Sequence, residues 1–105
     1  NKKLSKTNKQ LLTSAASIGK DGVEVSLITL DSINFSKKIE AIKIDIEGHE
    51  VQALEGAIAL IQKDRPSIVT EALSVEEFDK QFYFFNSIGY NLISCPDKRN
   101  CLWEY

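Results

Sequence analysis

Residues 45–50 place four side chains that can carry charge or bind a metal within six positions of the chain. They are Asp45, Glu47, His49 and Glu50, in the segment IKIDIEGHE. A strand-like alternation enters this segment, Gly48 permits a sharp turn, and a helix-like pattern follows. Carboxylates and an imidazole at such a junction could bind a divalent cation, hold the polar groups of a substrate, or act as a general base.

A further acidic residue, Glu71, ends the next predicted strand. Ligands of open α/β sheets bind beyond the carboxyl ends of the strands, and neighbouring strands lie about 4.8 Å apart. Asp45 and Glu71 are therefore expected to face one crevice. The helix predicted to begin near Glu50 directs its positive dipole end to the same place.

A purely structural interpretation of these side chains stays open. Asp45 could pair with Lys43, two positions back on the same strand face. Glu47 and Glu50 would then only favour the positive end of the helix, and His49 would lie in solvent. For His49 and Glu50 this interpretation is the favoured one.

The apolar pattern predicts the elements that must position these residues. The predicted strands are Val23–Leu30, Ala41–Ile46, Ser67–Ala72, Tyr90–Cys95 and Cys101–Tyr105. The predicted helices are Glu50–Lys63, which is amphipathic, and residues 74–88, which open with the capping pattern Ser74-x-x-Glu77 and end near Gly89. Asp31 is expected to cap a short turn over Ser32–Lys37.

Strands that alternate with helices indicate an α/β fold with a mostly parallel sheet and helices on its faces. The last two strands predict a hairpin that adds an antiparallel strand at or near one edge. Within the second helix, Phe82 and Phe85 are expected to be core residues, and Trp103 is expected to cover the edge of the core. Residues 1–22 are polar and basic, which predicts a flexible leader before a domain at 23–105.

The totals describe one globular domain. The chain has 105 residues, of which 43% are hydrophobic and 27% charged, with a net charge of −2. This balance does not indicate nucleic-acid binding, and no apolar run approaches the roughly 20 residues of a membrane span. The sequence predicts a cytoplasmic protein. Cys95 and Cys101 are predicted to be ordinary thiols, with a disulfide or a pair of metal ligands as alternatives.

Three segments together resemble the FkbM family of S-adenosylmethionine-dependent methyltransferases. They are TLDSI (residues 29–33), IKIDIEGHEVQALEGA (residues 42–57) and RPSIVTE (residues 65–71). The resemblance implies the C-terminal half of a class I methyltransferase sheet, which is Rossmann-like. In that fold Ala41–Ile46 and Ser67–Ala72 would be the fourth and fifth strands, and the hairpin would supply the sixth and seventh. The implied activity is methyl transfer, typically to an oxygen of a sugar or another small natural product.

The resemblance also implies roles for the acidic residues. Asp45, Glu47 and Glu71 would line the active-site end of the sheet, with Glu71 on the side of the small-molecule acceptor. Asp45 or His49 would serve as the base, and Asp45 with Glu71 could hold Mg²⁺. The glycine-rich loop that holds the cofactor in such enzymes is absent, since the five glycines never fall into G-x-G spacing. We therefore expect a C-terminal part of a longer enzyme, inactive alone.

Two other functions stay open at this point. The chain could be a non-catalytic binding or assembly module, forming a homodimer through an exposed sheet edge or through the aromatic helix at residues 78–85. It could also be a small Mg²⁺-dependent enzyme that uses Asp45, Glu47 and Glu71.

Overall fold

The computed structural model describes residues 27–105, so the predicted leader and residues 23–26 of the first predicted strand lie outside the described part. Three helices are present here: α1 (Glu50–Glu55), α2 (Ile58–Asp64) and α3 (Val75–Ser87). Four strands accompany them: β1 (Ala41–Ile44), β2 (Ser67–Glu71), β3 (Asn91–Ser94) and β4 (Asn100–Glu104). Residues 27–29 form no strand, and a short 3-10 turn occupies Leu30–Ser32.

The four strands form a mixed sheet in the order β1-β2-β4-β3. β1 and β2 are parallel, whereas β4 is antiparallel to both β2 and β3. The α/β class and the terminal hairpin are thus as predicted, but the described sheet is not mostly parallel. The hairpin lies at one edge of the sheet, as predicted, with β3 as the edge strand and β4 as the inner one. The reason is the apolar pattern of β4, which buries Cys101 and Trp103, whereas every residue of β3 is exposed.

One contiguous apolar core joins the sheet to the helices. Strand residues Ile44, Ile68 and Trp103 belong to it, together with Leu54 of α1 and Ile61 of α2. The registered pairs Ile44–Thr70 and Ile68–Trp103 place these strand side chains on the same face of the sheet. Because side chains alternate along a strand, the intervening residues point to the opposite face.

Aromatic rings fill the centre of this core. Phe85 is fully buried, and its ring stacks on that of Trp103 with 4.3 Å between the centroids. Trp103 was expected at the core edge but is only 1% exposed. Its indole N–H donates to the Thr70 hydroxyl over 2.9 Å, which satisfies the only polar atom of the ring. Phe82, also expected in the core, is 46% exposed.

The single helix predicted over Glu50–Lys63 is divided into α1 and α2 at Gly56 and Ala57. The Asp31 carboxylate accepts hydrogen bonds from the backbone N–H groups of Ala59 and Leu60, each at 2.9 Å. These are amides of the first turn of α2, which have no partner inside the helix. Asp31 was predicted to cap its own segment. It caps α2 instead, because the turn at residues 30–32 brings it to the interruption.

Replacing Asp31 with alanine should lower the free energy of unfolding by about 1 kcal/mol, since two amides of α2 lose their acceptor. Asp31→Asn keeps one acceptor oxygen and should cost about half as much. Urea unfolding of the three proteins measures both differences. Equal stability of all three would show that the carboxylate does not cap α2 in solution.

The predicted ends of α3 agree with the structure. The Ser74 hydroxyl accepts from the Glu77 N–H at 3.1 Å, while the Glu77 carboxylate accepts from the Leu73 N–H at 2.8 Å. Gly89 follows the helix with φ 87°, in the left-handed region that glycine adopts without strain. A side chain at that position would also crowd the ring of Tyr105, at 3.1 Å.

Candidate functional site

The parallel pair of strands brings Asp45 and Glu71 to one rim of the sheet. Ile44 lies opposite Thr70 in the register of β1 and β2. β1 ends at Ile44, and the register continued one position beyond it sets Asp45 opposite Glu71, the last residue of β2. The alternation of side chains directs both away from the face that carries Ile44 and the helices. Asp45 is exposed, so its carboxylate is open to a ligand, whereas Glu71 is half-buried.

Glu71 forms an ion pair with Arg99, a residue that the sequence analysis did not identify. The Arg99 guanidinium donates to the Glu71 carboxylate over 2.8 Å, and these side chains are 58% and 16% exposed. Arg99 belongs to the turn between β3 and β4. It reaches Glu71 because β4 lies directly beside β2, with Asn100 opposite Glu71. A predicted β2–β4 pairing would have revealed this contact.

The turn between β1 and α1 has two consecutive residues with positive φ: 56° at Glu47 and 94° at Gly48. A Cβ at Gly48 would meet the nearest atom, Oε2 of Glu77, at an ordinary 3.6 Å, so the conformation and not the space requires glycine here. Glu47 is a non-glycine residue in the left-handed region, which costs about 1 kcal/mol or more. Its side chain is exposed at the rim.

His49 stands at the start of α1, half-exposed, and its side chain makes no capping hydrogen bond. Its backbone carbonyl accepts from the Ala53 N–H at 3.1 Å.

No ion pair joins Asp45 to Lys43, so the structural pairing considered for Asp45 is not formed. With α1 only six residues long, the dipole at its start is smaller than a helix over 50–63 would give.

Glu50 has the most unusual environment of the acidic group. It is only 2% exposed, and its carboxylate accepts hydrogen bonds from the N–H groups of Gly48 at 3.0 Å and Ile46 at 3.3 Å. Burial raises the pKa of Glu50 above 4.5, against the lowering effect of these hydrogen bonds, and the charge of Glu77 adds to the rise. Glu50 was expected only to favour the helix end. It instead fastens the strained turn that positions Asp45, Glu47 and His49.

Glu50→Gln should change the pH dependence of stability in a defined direction. A carboxyl whose native pKa is raised binds more protons folded than unfolded between about 4.5 and its native pKa. Its contribution to stability is therefore greatest below pH 4.5 and declines as the pH rises through that window. Urea unfolding from pH 4 to 8 measures the free energy of unfolding of both proteins. The value for the wild type minus that for Glu50→Gln should fall as the pH rises. If this difference in unfolding free energy stayed constant or rose with pH, burial would not raise the pKa of Glu50.

The described residues do not support the predicted metal site at this rim. Within residues 27–105, no three or more His, Cys, Asp or Glu side chains are grouped closely enough to hold a metal ion. Asp45 and Glu71 provide two carboxylates, and the second is already paired with Arg99.

Cys95 and Cys101 form a disulfide, so the prediction of ordinary thiols is wrong. The antiparallel hairpin brings them together across the turn that carries Arg99. Asp97 organises the same turn: its carboxylate accepts from the N–H groups of Arg99 and Asn100 and from the Asn100 amide. These bonds hold the pKa of Asp97 well below its usual range. Disulfides are rare in the cytosol, so this bond does not support the predicted cytoplasmic location. That location stays a prediction.

Replacing both cysteines with serine should lower the free energy of unfolding by about 2 kcal/mol, the loop entropy that a crosslink of this span removes from the unfolded chain. Urea unfolding with and without a reductant checks it. The reductant should destabilise the wild type and leave the double variant unchanged. A wild type indifferent to reductant would mean that the thiols are free in solution.

A cavity of about 260 Å³ lies beside β1 and reaches the rim at Asp45. Leu30, Phe35 and Ile42 are among the residues that give it an apolar wall. The recess lies on the helix side of β1, whereas the side chains of Asp45 and Glu71 point to the other side of the sheet. None of the helices in residues 27–105 could cross a membrane, since α3, the longest, has 13 residues.

The described part of the chain is an α/β fold in which a mixed sheet, with β1 and β2 parallel, packs against three helices. Residues 1–92 of the chain match the Methyltransferase FkbM domain family. Since this match spans most of the 105 residues, the chain belongs to the FkbM methyltransferase domain family. No curated protein and no solved structure matches the chain.

Proposed function

We propose that this chain carries the acceptor side of an S-adenosylmethionine-dependent methyltransferase that acts on an oxygen of a sugar or another small natural product. It would do so as part of a longer polypeptide that supplies most of the cofactor cradle. The observation that supports this most is the parallel pairing of β1 and β2, since its register continued one position past Ile44–Thr70 brings Asp45 opposite Glu71. Membership of the FkbM family supports the class of reaction.

The rim suits the charge of the proposed cofactor. S-adenosylmethionine, when bound, supplies a methyl group on a positively charged sulfur. Exposed carboxylates of Asp45 and Glu47 favour a cation nearby. No two of the five glycines have the G-x-G spacing of the loop expected to hold the methionine end, so these residues alone would bind the cofactor weakly.

The chain's own residues can be given distinct tasks in the reaction. Asp45 accepts the proton of the acceptor hydroxyl, which increases the nucleophilicity of that oxygen. Glu71, held in place by Arg99, accepts a hydrogen bond from a second hydroxyl and so orients the acceptor. His49 is the alternative proton acceptor, since its side chain makes no cap bond and is half-exposed.

The test uses the complete natural polypeptide that contains these residues. It is incubated with S-adenosylmethionine labelled in the methyl group and with a panel of hydroxylated sugars and small natural products. We expect label on an acceptor oxygen, and S-adenosylhomocysteine to bind in calorimetry. A protein that binds neither cofactor form and transfers no label to any compound would contradict the proposal.

A second function, assembly into a homodimer, is favoured by one observation. On α3, Tyr83 is 78% exposed and Phe82 46% exposed, which leaves aromatic surface on the outer side of the helix. Sedimentation at several concentrations tests it, with Tyr83→Ser as the variant. A wild type that stays monomeric at every concentration would exclude a dimer through this surface.

A further inference from the structure

A second pocket, of about 650 Å³, lies beyond the carboxyl end of β2, between the start of α3 and the β3–β4 hairpin. Its volume falls within the roughly 300–1,000 Å³ typical of sites for small organic ligands. Apolar side chains line it, chiefly Leu73, Val75, Phe78 and Leu92, with the disulfide between Cys95 and Cys101. We call this space the hairpin pocket.

The apolar lining of the hairpin pocket is open to solvent to an unusual degree. Val75 is 74% exposed, Leu73 53% and Leu92 37%. Three large apolar side chains around one concavity form a patch of the kind that marks a binding site. A ligand with an apolar ring or chain would remove this surface from water.

The hairpin pocket has two charged lining residues, and their charges have the same sign. Lys98 and Arg99 are its charged lining residues, and both are cationic. No ion pair joins Lys98 to another of residues 27–105, whereas Arg99 is paired with Glu71. The nearby Asp97 directs its carboxylate into the turn, where it accepts three hydrogen bonds. The charge offered to a ligand is therefore the positive charge of Lys98.

We propose that the hairpin pocket binds the apolar body of an acceptor that also carries an anionic group, a carboxylate, sulfate or phosphate that Lys98 pairs with. The identification of this ligand as the methyl acceptor rests on the proposed function. Arg99 joins the two places, because it lines the hairpin pocket and holds Glu71 at the rim. The pocket lies on the helix side of the sheet, so a molecule bound there would reach Glu71 around the end of β2, past Arg99.

Two related fluorescent compounds test the chemistry of the hairpin pocket without the cofactor. 1-Anilinonaphthalene-8-sulfonate has an apolar ring system and a sulfonate, and N-phenyl-1-naphthylamine has the same rings without the charge. Trp103 is the single tryptophan, and its ring lies 6.0 Å from that of Phe78, which lines the pocket. Energy transfer from Trp103 therefore reports binding to the protein, and the variants below locate the bound compound.

The variants separate the charged contact from the apolar one. Lys98→Gln should weaken binding of the sulfonate compound about threefold and leave the neutral compound unchanged, as expected for one partly exposed ion pair. Val75→Asp should weaken both compounds about tenfold or more, since it places a charge in the apolar lining. Val75 is mostly exposed at the first position of α3, where an acidic residue suits the helix. Lys80→Gln, an exposed change outside the pocket, is the matched control and should alter neither affinity.

The outcomes decide the proposal independently of methyl transfer. Equal affinity of the wild type for both compounds, or a Lys98→Gln effect no larger than that of Lys80→Gln, would overturn the anionic ligand. Binding that survives Val75→Asp would overturn the pocket itself. Near-ultraviolet circular dichroism of each variant confirms that Trp103 keeps its packing. Because no cofactor is present, loss of the proposed methyltransferase activity would leave this result intact, and only the naming of the ligand as acceptor would fall.

Discussion

Replacing Phe85 with alanine will lower the free energy of unfolding by about 3–5 kcal/mol, the usual cost of deleting a buried phenyl ring and leaving a cavity. Phe85 is fully buried and packs on Trp103 at 4.3 Å, on Phe84 at 5.5 Å and on Tyr90 at 5.6 Å between ring centroids. Single domains are stable by only about 5–15 kcal/mol, so this variant should be close to unfolding.

The matched control for Phe85→Ala lies one turn earlier in the same helix. Phe82 also contacts Trp103, at 6.2 Å between ring centroids, but it is 46% exposed. Phe82→Ala should cost about 1 kcal/mol, because water already reaches much of its ring. Urea unfolding followed by the fluorescence of Trp103 measures both. If the two variants lost equal stability, the core would not be centred on the Phe85–Trp103 stack. Phe85→Leu, which should fold, tests the same point if Phe85→Ala does not.

Local patterns predicted most of the elements because each depends on neighbouring residues. The alternation in Ala41–Ile46 and Ser67–Ala72 indicates strands, and the structure has β1 and β2 at those places. The cap at Ser74 and the glycine at 89 also depend on a few residues each. Such signals act over one or two turns of chain, so they can be read without knowledge of the tertiary contacts.

The features that escaped prediction depend on contacts between distant residues. The interruption between α1 and α2 requires Asp31 to bind amides 28 and 29 residues further along the chain. The position of β4 beside β2 follows from burial of Cys101 and Trp103 on the core face, which no local pattern reveals. The same placement brings Arg99 to Glu71 across 28 residues.

The local backbone structure around the candidate residues was predictable, but the environment of each side chain was not. The motif at residues 42–50 correctly indicates a strand, a glycine turn and a helix. Spacing alone, however, does not distinguish an exposed acid from a buried one. Glu50 has backbone partners at Ile46 and Gly48 only because the turn has positive φ at two residues. Only the structure shows that the Glu50 side chain is buried and supports the turn, whereas the Asp45 side chain is exposed at the rim.

Replacing Asp45 with asparagine should reduce the methyl-transfer rate of the complete polypeptide about 10²–10⁴-fold, the range for loss of a general base. The amide keeps the shape of the side chain but cannot accept the hydroxyl proton. Asp45 is exposed at the end of β1 and makes no ion pair with Lys43, so the fold should be unaffected. Steady-state rates with a labelled methyl group measure the loss, and calorimetry should give an unchanged affinity for S-adenosylhomocysteine.

Two further variants decide whether Asp45 acts as the base or only contributes negative charge to the rim. Asp79→Asn, an exposed change on α3, removes the same charge away from the site and should leave the rate unchanged. His49→Gln should reduce the rate only slightly if Asp45 is the proton acceptor, and as strongly as Asp45→Asn if the imidazole is. A base also imposes a pH dependence on kcat/KM, which Asp45→Asn should remove. An Asp45→Asn enzyme that keeps more than half the wild-type rate would assign proton acceptance to another group, while the register that places Glu71 beside it would still stand.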